Sequence, residues 1–155
     1  MEDVVENGDV KKRDNEEQSY VIISLRHDFD LVDYDSDGNP QPMSPENLPD
    51  NAYIGRAMIS EVHFPETTSV GKNCFKSCRR MSTADMPLLK NAGDGAFQDC
   101  VSLTELPENL ETVGNNTFNG CSSVAEVSLG KLKSIGDSGF RGCHSLNSVY
   151  IPECT

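Results

Sequence analysis

The sequence has no tryptophan, 6% aromatic residues and three histidines. Imidazole chemistry would therefore rest on His27, His63 or His144, and none of the three sits in a recognisable motif. No apolar run reaches the length of a membrane-spanning helix, so membrane insertion is not expected. The start, "MEDVVENGDVKKRDNEEQ", lacks the apolar core of a signal peptide. That favours a cytoplasmic location. Hydrophobic residues make up only 36%, which leaves part of the chain with little to bury. Basic residues are also scarce. Residues 1–50 hold 14 acidic and 4 basic side chains, a balance of -10, and residues 51–155 hold 11 and 9, a balance of -2. Neither part offers a basic patch, which excludes nucleic acid as an expected partner.

What the chain does have is a repeat. "VGKNCFKSCRRM" (70–81), "AGDGAFQDCVSL" (92–103), "VGNNTFNGCSSV" (113–124) and "IGDSGFRGCHSL" (135–146) superimpose. Gly71, Gly93, Gly114 and Gly136 step by 22, 21 and 22 residues, as do Phe75, Phe97, Phe118, Phe140 and Cys78, Cys100, Cys121, Cys143. "LPDNAYIGRAMI" (48–59) is a degenerate first copy with Tyr53 in the aromatic place and Arg56 in the cysteine place. Five units follow: 48–69, 70–91, 92–112, 113–134 and 135–155.

The second half of each unit reads apolar-x-x-apolar-x-apolar: "ISEVHFP", "MSTADMP", "VAEVSL" and "LNSVYIP", with "LTELP" one residue short. Alternation over the last four positions predicts a short strand. Val62, Ala84, Leu106, Val127 and Val149 then point inward, with Phe64, Met86, Leu129 and Ile151. Glu61, His63, Thr83, Asp85, Glu105, Glu126, Ser128, Ser148 and Tyr150 point outward. One unit cannot bury its own apolar side, so the units stack and their strands form a parallel sheet.

The frame I-G-x-x-x-F-x-x-C-x-x-L-x-x-I-x-I-P resembles the BspA-like leucine-rich repeats, also called the Treponema pallidum type, over residues 48–155. The resemblance implies a right-handed repeat solenoid with a short-strand parallel β-sheet on its concave face and little regular helix. It also implies a binding scaffold, often in adhesion or host contact, with no catalytic residues and no cofactor. The bacterial surface members are exported, so a cell-surface or secreted location is the alternative to the cytoplasm.

Cys100 and its equivalents read as packed core thiols. Ladder cysteines on adjacent coils form a row rather than a tetrahedron, so neither "CFKSC" nor His144 beside Cys143 predicts zinc. Cys154 takes an apolar place, and Cys74 a small, close-packed one.

Residues 1–19, with 7 acidic and 3 basic side chains, read as a disordered acidic arm. Residues 20–47 read as a cap and a linker. "YVIISL" is rich in β-branched residues and predicts a strand; "FDLVDY" is its expected hairpin partner, capping the first repeat. "PQPMSPENLP", with four prolines in ten residues, reads as a stiff linker. In "DYDSDGNPQPMS", Asp33, Asp35, Asp37 and Gly38 match the opening of a calcium loop, but Pro40 and Ser44 fall where an aliphatic residue and a bidentate glutamate belong. A solvated turn is the plainer reading, and no metal is expected.

The expectation for function is protein binding through the nine outward residues, to a partner with a basic surface. The alternative is self-association through an uncapped C-terminal end of the stack.

Overall fold

Backbone hydrogen bonds between successive turns set the architecture. The computed structural model describes residues 46–152 throughout and, before them, the backbone of β1 (Glu2–Glu6), β2 (Asp9–Arg13), β3 (Tyr20–Ser24), β4 (Leu31–Tyr34) and β5 (Pro40–Met43). Each turn's aromatic residue donates its backbone N–H to the next turn: Tyr53 to Cys74 O (2.7 Å), Phe75 to Ala96 O (2.7 Å), Phe97 to Thr117 O (2.9 Å) and Phe118 to Gly139 O (3.0 Å). The chain is a parallel-strand β-solenoid of about five turns, with no helix among the described residues.

Two sheets run along the stack. The first contains the predicted strands β7 (Ile59–His63), β9 (Thr83–Asp85), β12 (Glu126–Ser128) and β14 (Ser148–Tyr150). Their register follows the sequence step: Glu61 pairs with Thr83 and His63 with Asp85, then Glu126 with Ser148 and Ser128 with Tyr150. The second sheet has one two-residue strand per turn, β6 (Asn47–Leu48), β8 (Ser69–Val70), β10 (Asn91–Ala92), β11 (Thr112–Val113) and β13 (Ser134–Ile135), all parallel. The repeat frame anticipates one strand per unit. Two residues are too few for alternation to show, but each pair is polar then apolar, with Leu48, Val70, Ala92 and Val113 buried.

The first sheet is not continuous. β9 pairs only with β7, and β12 only with β14. The third unit, expected to supply the strand between them, forms none over residues 103–107. Its span between buried Leu103 and Leu110 has six residues, against seven between Met81 and Leu89 or Val124 and Leu132. A residue spans ~3.3 Å of extended chain, so the shorter span must cut across the arc its neighbours follow. Pro107, which is buried, also lacks the N–H a ladder needs.

Two further expectations differ from the structure. β3 does not turn back on residues 29–34. It extends the first sheet, in parallel with β7 and with β1, while β4 pairs antiparallel with β5 inside the proline-rich stretch. An unpaired strand edge on the first repeat offers backbone partners to any β-prone segment, and a two-stranded ribbon tolerates proline on its edges. Residues 2–13, read as disordered arm, carry the β1–β2 hairpin, whose backbone bonds need little apolar content.

The core is a set of ladders. The rings of Tyr53, Phe75, Phe97, Phe118 and Phe140 stack with centroids 5.3, 5.4, 5.5 and 5.7 Å apart. Arg56, in the cysteine place of the first unit, lies over Tyr53 with its guanidinium carbon 5.4 Å from the ring centre. The glycine ladder exists because adjacent backbones nearly touch: a Cβ on Gly93 would lie 2.8 Å from Lys72 N and 2.9 Å from Gly71 C. Turning corners are made at two left-handed positions per turn, one of them Asn51, Asn73, Gly95, Asn116 and Ser138. Of the inward row, Ala84, Leu106 and Ile151 are half-buried and Val149 departs furthest. It is 54% exposed, because no further turn of the described residues lies over it.

Phe97 has a ring on each side and is fully buried. Phe97→Ala is therefore expected to cost about 3–5 kcal/mol of folding stability. Urea denaturation followed by circular dichroism measures it, and a loss below about 1 kcal/mol would show that the stack does not carry the fold.

Candidate functional site

The outward row comes from alternation along the first sheet. Glu61 and His63 lie on β7, Thr83 and Asp85 on β9, Glu126 and Ser128 on β12, Ser148 and Tyr150 on β14. Glu105 belongs to the strandless span of the third unit. Glu61 and His63 are half-buried and the other seven are exposed, Tyr150 at 60%.

His63 ties two turns together. Its Nε2 lies 2.9 Å from Glu61 Oε2 and its Nδ1 lies 3.2 Å from Asp85 Oδ2. Both ring nitrogens can donate at once only in the protonated ring. Partial burial alone would lower the imidazole pKa. The hydrogen bonds to Glu61 and Asp85, with the charge of both carboxylates, outweigh it and raise the pKa above 6.5. Among the described residues, no three His, Cys, Asp or Glu side chains converge as a metal site.

The interruption of the first sheet shapes its surface. A groove of about 430 Å3 lies between the second and third units, with Asp85, Met86 and Pro87 on one side and Glu105, Leu106 and Glu108 on the other. A second, of about 600 Å3, lies between the third and fourth units, where Glu126 and Ser128 face Glu105 and Glu108. No lysine or arginine lines either groove. Glu108 and Pro107 lie outside the expected outward row, and Leu106, expected to point inward, is half-buried and lines both grooves. The signal was present in the one-residue deletion of "LTELP", which marks where the surface departs from the repeat. Of the suggested calcium loop, Asp35 and Asp37 lie outside the described residues, and Asp33 sits on β4 paired with Gln41. His27 and Cys154 also lie outside them, and His144 is exposed.

The thiols occupy the interior. Cys78 Sγ donates to Tyr53 O (3.1 Å), Cys100 Sγ to Phe75 O (3.1 Å), Cys121 Sγ to Phe97 O (3.2 Å) and Cys143 Sγ to Phe118 O (3.2 Å). Each joins one turn to the aromatic residue of the turn before. Desolvation pushes Cys78 and Cys121 up to about 12 and raises Cys74 and Cys100 well above the usual thiol range. These are poor nucleophiles by both burial and acidity. All five described cysteines are free.

Two expectations follow. Since His63 has a raised pKa in the folded chain, its stabilising contribution is fully present below pH 6.5 and is lost as pH rises through the folded value. His63→Gln should therefore destabilise the protein at pH 5.5, by under about 1 kcal/mol given the partial exposure, and by less at pH 8.5. Urea melts at the two pH values measure this, and an equal loss at both would disprove the ion-pair account. Among the described cysteines, iodoacetamide at pH 8 should label half-buried Cys143 before Cys74, Cys78, Cys100 or Cys121. Peptide mass mapping reads the order, and early labelling of Cys100 would contradict its burial.

The BspA type leucine rich repeat region family matches residues 46–155 in six copies, one more than the five units counted from the aromatic step. No curated protein matches the chain. Among solved structures it is similar to the leucine rich repeat protein of Treponema pallidum, at 20% identity and a TM-score of 0.59, over 84% of this chain and 69% of that one. It is also similar to a leucine rich cell surface protein of Faecalibacterium prausnitzii A2-165, at 21% identity and a TM-score of 0.68. That match covers 92% of this chain, which spans only 38% of the other. At such identities the likeness shows the fold, a leucine-rich repeat solenoid. With the aromatic, glycine and cysteine steps and a family match across more than half its length, the chain belongs to the BspA-type leucine-rich repeat family.

Proposed function

We propose that this repeat scaffold is a non-catalytic binding module whose working surface is the outward face of the first sheet. The partner is a protein with a basic surface. One observation carries the reading: Glu61, Asp85, Glu105 and Glu126 stand along one face with no lysine or arginine among the nine outward residues. Exposed carboxylates of one sign steer a positive surface toward them and disfavour acidic partners. The face also crosses several turns, which suits an extended contact. The solved Faecalibacterium neighbour is a cell surface protein, and a role in adhesion or host contact would fit a scaffold of this kind.

A second reading is favoured by a separate observation. At the last turn Phe140, Cys143, Leu146 and Ile151 are only half-buried, and Val149 and Tyr150 are more than half exposed. Apolar groups left uncovered on the last described turn form a surface on which a turn of a second copy could stack. Sedimentation at micromolar concentration separates the two readings, since a strictly monomeric protein removes the second.

The test of the first is a comparison of the wild-type chain with a Glu61→Lys, Glu105→Lys, Glu126→Lys variant as bait. A specific partner should bind the wild type at least roughly tenfold more tightly, with affinity falling as salt rises. A partner held equally by both would move the function off this face.

A further inference from the structure

The missing rung of the first sheet leaves two strand edges open inside the molecule. β9 has no partner on its far side and β12 none on its near side. Among the described residues, no backbone hydrogen bond joins Thr104–Glu108 to either neighbouring turn. The links across this stretch come from side chains, Thr104 Oγ1 to Ser82 O (3.5 Å) and Asn109 Nδ2 to Pro87 O (2.7 Å). Elsewhere the same edge positions are paired turn to turn, as where Phe64 N donates to Asp85 O (2.9 Å). Strand edges that carry unpaired N–H and C=O groups are templates for an incoming extended chain.

The 430 Å3 groove follows the open edge of β9, lined without a break from Ser82 to Pro87. Six residues of extended chain reach ~20 Å, enough for a short peptide to lie along it. Its rim is Asp85, Glu105 and Glu108, with His63 beside Asp85, and its floor includes Met86, Leu106 and Pro107. Side chains of an added strand alternate between the floor and the rim. An apolar residue would meet Leu106 and Pro107, and a cationic one would meet the carboxylates.

We infer that the groove along β9 takes an extended peptide segment of alternating apolar and lysine or arginine residues, bound by strand addition at the rung the third unit fails to supply. This inference rests on the binding-face reading above and narrows it to one site, one partner conformation and one charge. Backbone pairing supplies affinity, and the carboxylate rim selects sequence.

The probe is a fluorescent nine-residue peptide alternating valine and lysine, titrated against the full chain by anisotropy. Two controls are the valine–glutamate peptide and the valine–lysine peptide with its central backbone N–H groups methylated. The protein variant is a serine inserted between Leu106 and Pro107, which restores the seven-residue span with Leu106 kept in its inward place and is expected to close the gap. The valine–lysine peptide should bind, and both the methylated peptide and the insertion variant should bind roughly tenfold or more weakly. The valine–glutamate peptide should not bind. Circular dichroism and a thermal melt show whether the insertion variant keeps its fold, and the methylated peptide tests the same point on the unaltered protein. Methylated and unmethylated peptides of equal affinity would overturn strand addition. If that affinity still vanished in the Glu61→Lys, Glu105→Lys, Glu126→Lys chain, the acidic-face reading would stand without the groove. Absence of binding at millimolar peptide would overturn the groove proposal, while the wild-type and triple-variant baits decide the broader reading separately.

Discussion

Everything in this molecule depends on the spacing that backbone hydrogen bonds impose between turns. Adjacent strands lie ~4.8 Å apart, and each turn must present the same groups at the same place to its neighbours. The aromatic rings can then stack at 5.3–5.7 Å only if each unit delivers a ring to the same point. Each thiol can reach a carbonyl one turn back only if cysteine keeps the same offset from the aromatic residue. The glycines are needed where two backbones approach too closely for a Cβ. A single interaction repeated along an axis therefore accounts for the strictness of the repeat.

Such a structure is quasi-one-dimensional, and stability is close to a sum over turns and the interfaces between them. That explains how the first unit can lose its cysteine and glycine. Tyr53 keeps the ring, Arg56 lies over it, and the strand β3 supplies a backbone partner to β7. It also explains how the third unit can lose a strand. Its aromatic ring, thiol and short strand β10 remain in register, so the second sheet and the core run through unbroken while only the first sheet is interrupted.

The same division separates interior from surface. Inside, positions are set by neighbours above and below, and burial makes the thiols inert. Outside, the residues between the inward ones are free to carry charge, and on this face they carry carboxylates. His63 is the one outward group held by two of them, Glu61 on its own strand and Asp85 on the next.

The solenoid was legible because three residue types kept one step of 22, 21 and 22 residues, and only stacked turns convert such a step into a core. The register of β7 with β9 and of β12 with β14 followed from the same step. Glu61, His63, Thr83, Asp85, Glu126, Ser128, Ser148 and Tyr150 could be placed on one face because strand alternation is a local rule. Tertiary structure alone decided the rest. Pairing of β3 with β7 rather than with residues 29–34 depended on which edge was open nearby, and the second sheet was too short per unit to alternate visibly. A one-residue deletion in "LTELP" became a gap between two strands only when the flanking turns were laid beside it. A repeat step determines what stacks on what, whereas the outcome at a defect depends on the backbone partners that the neighbouring turns leave unpaired.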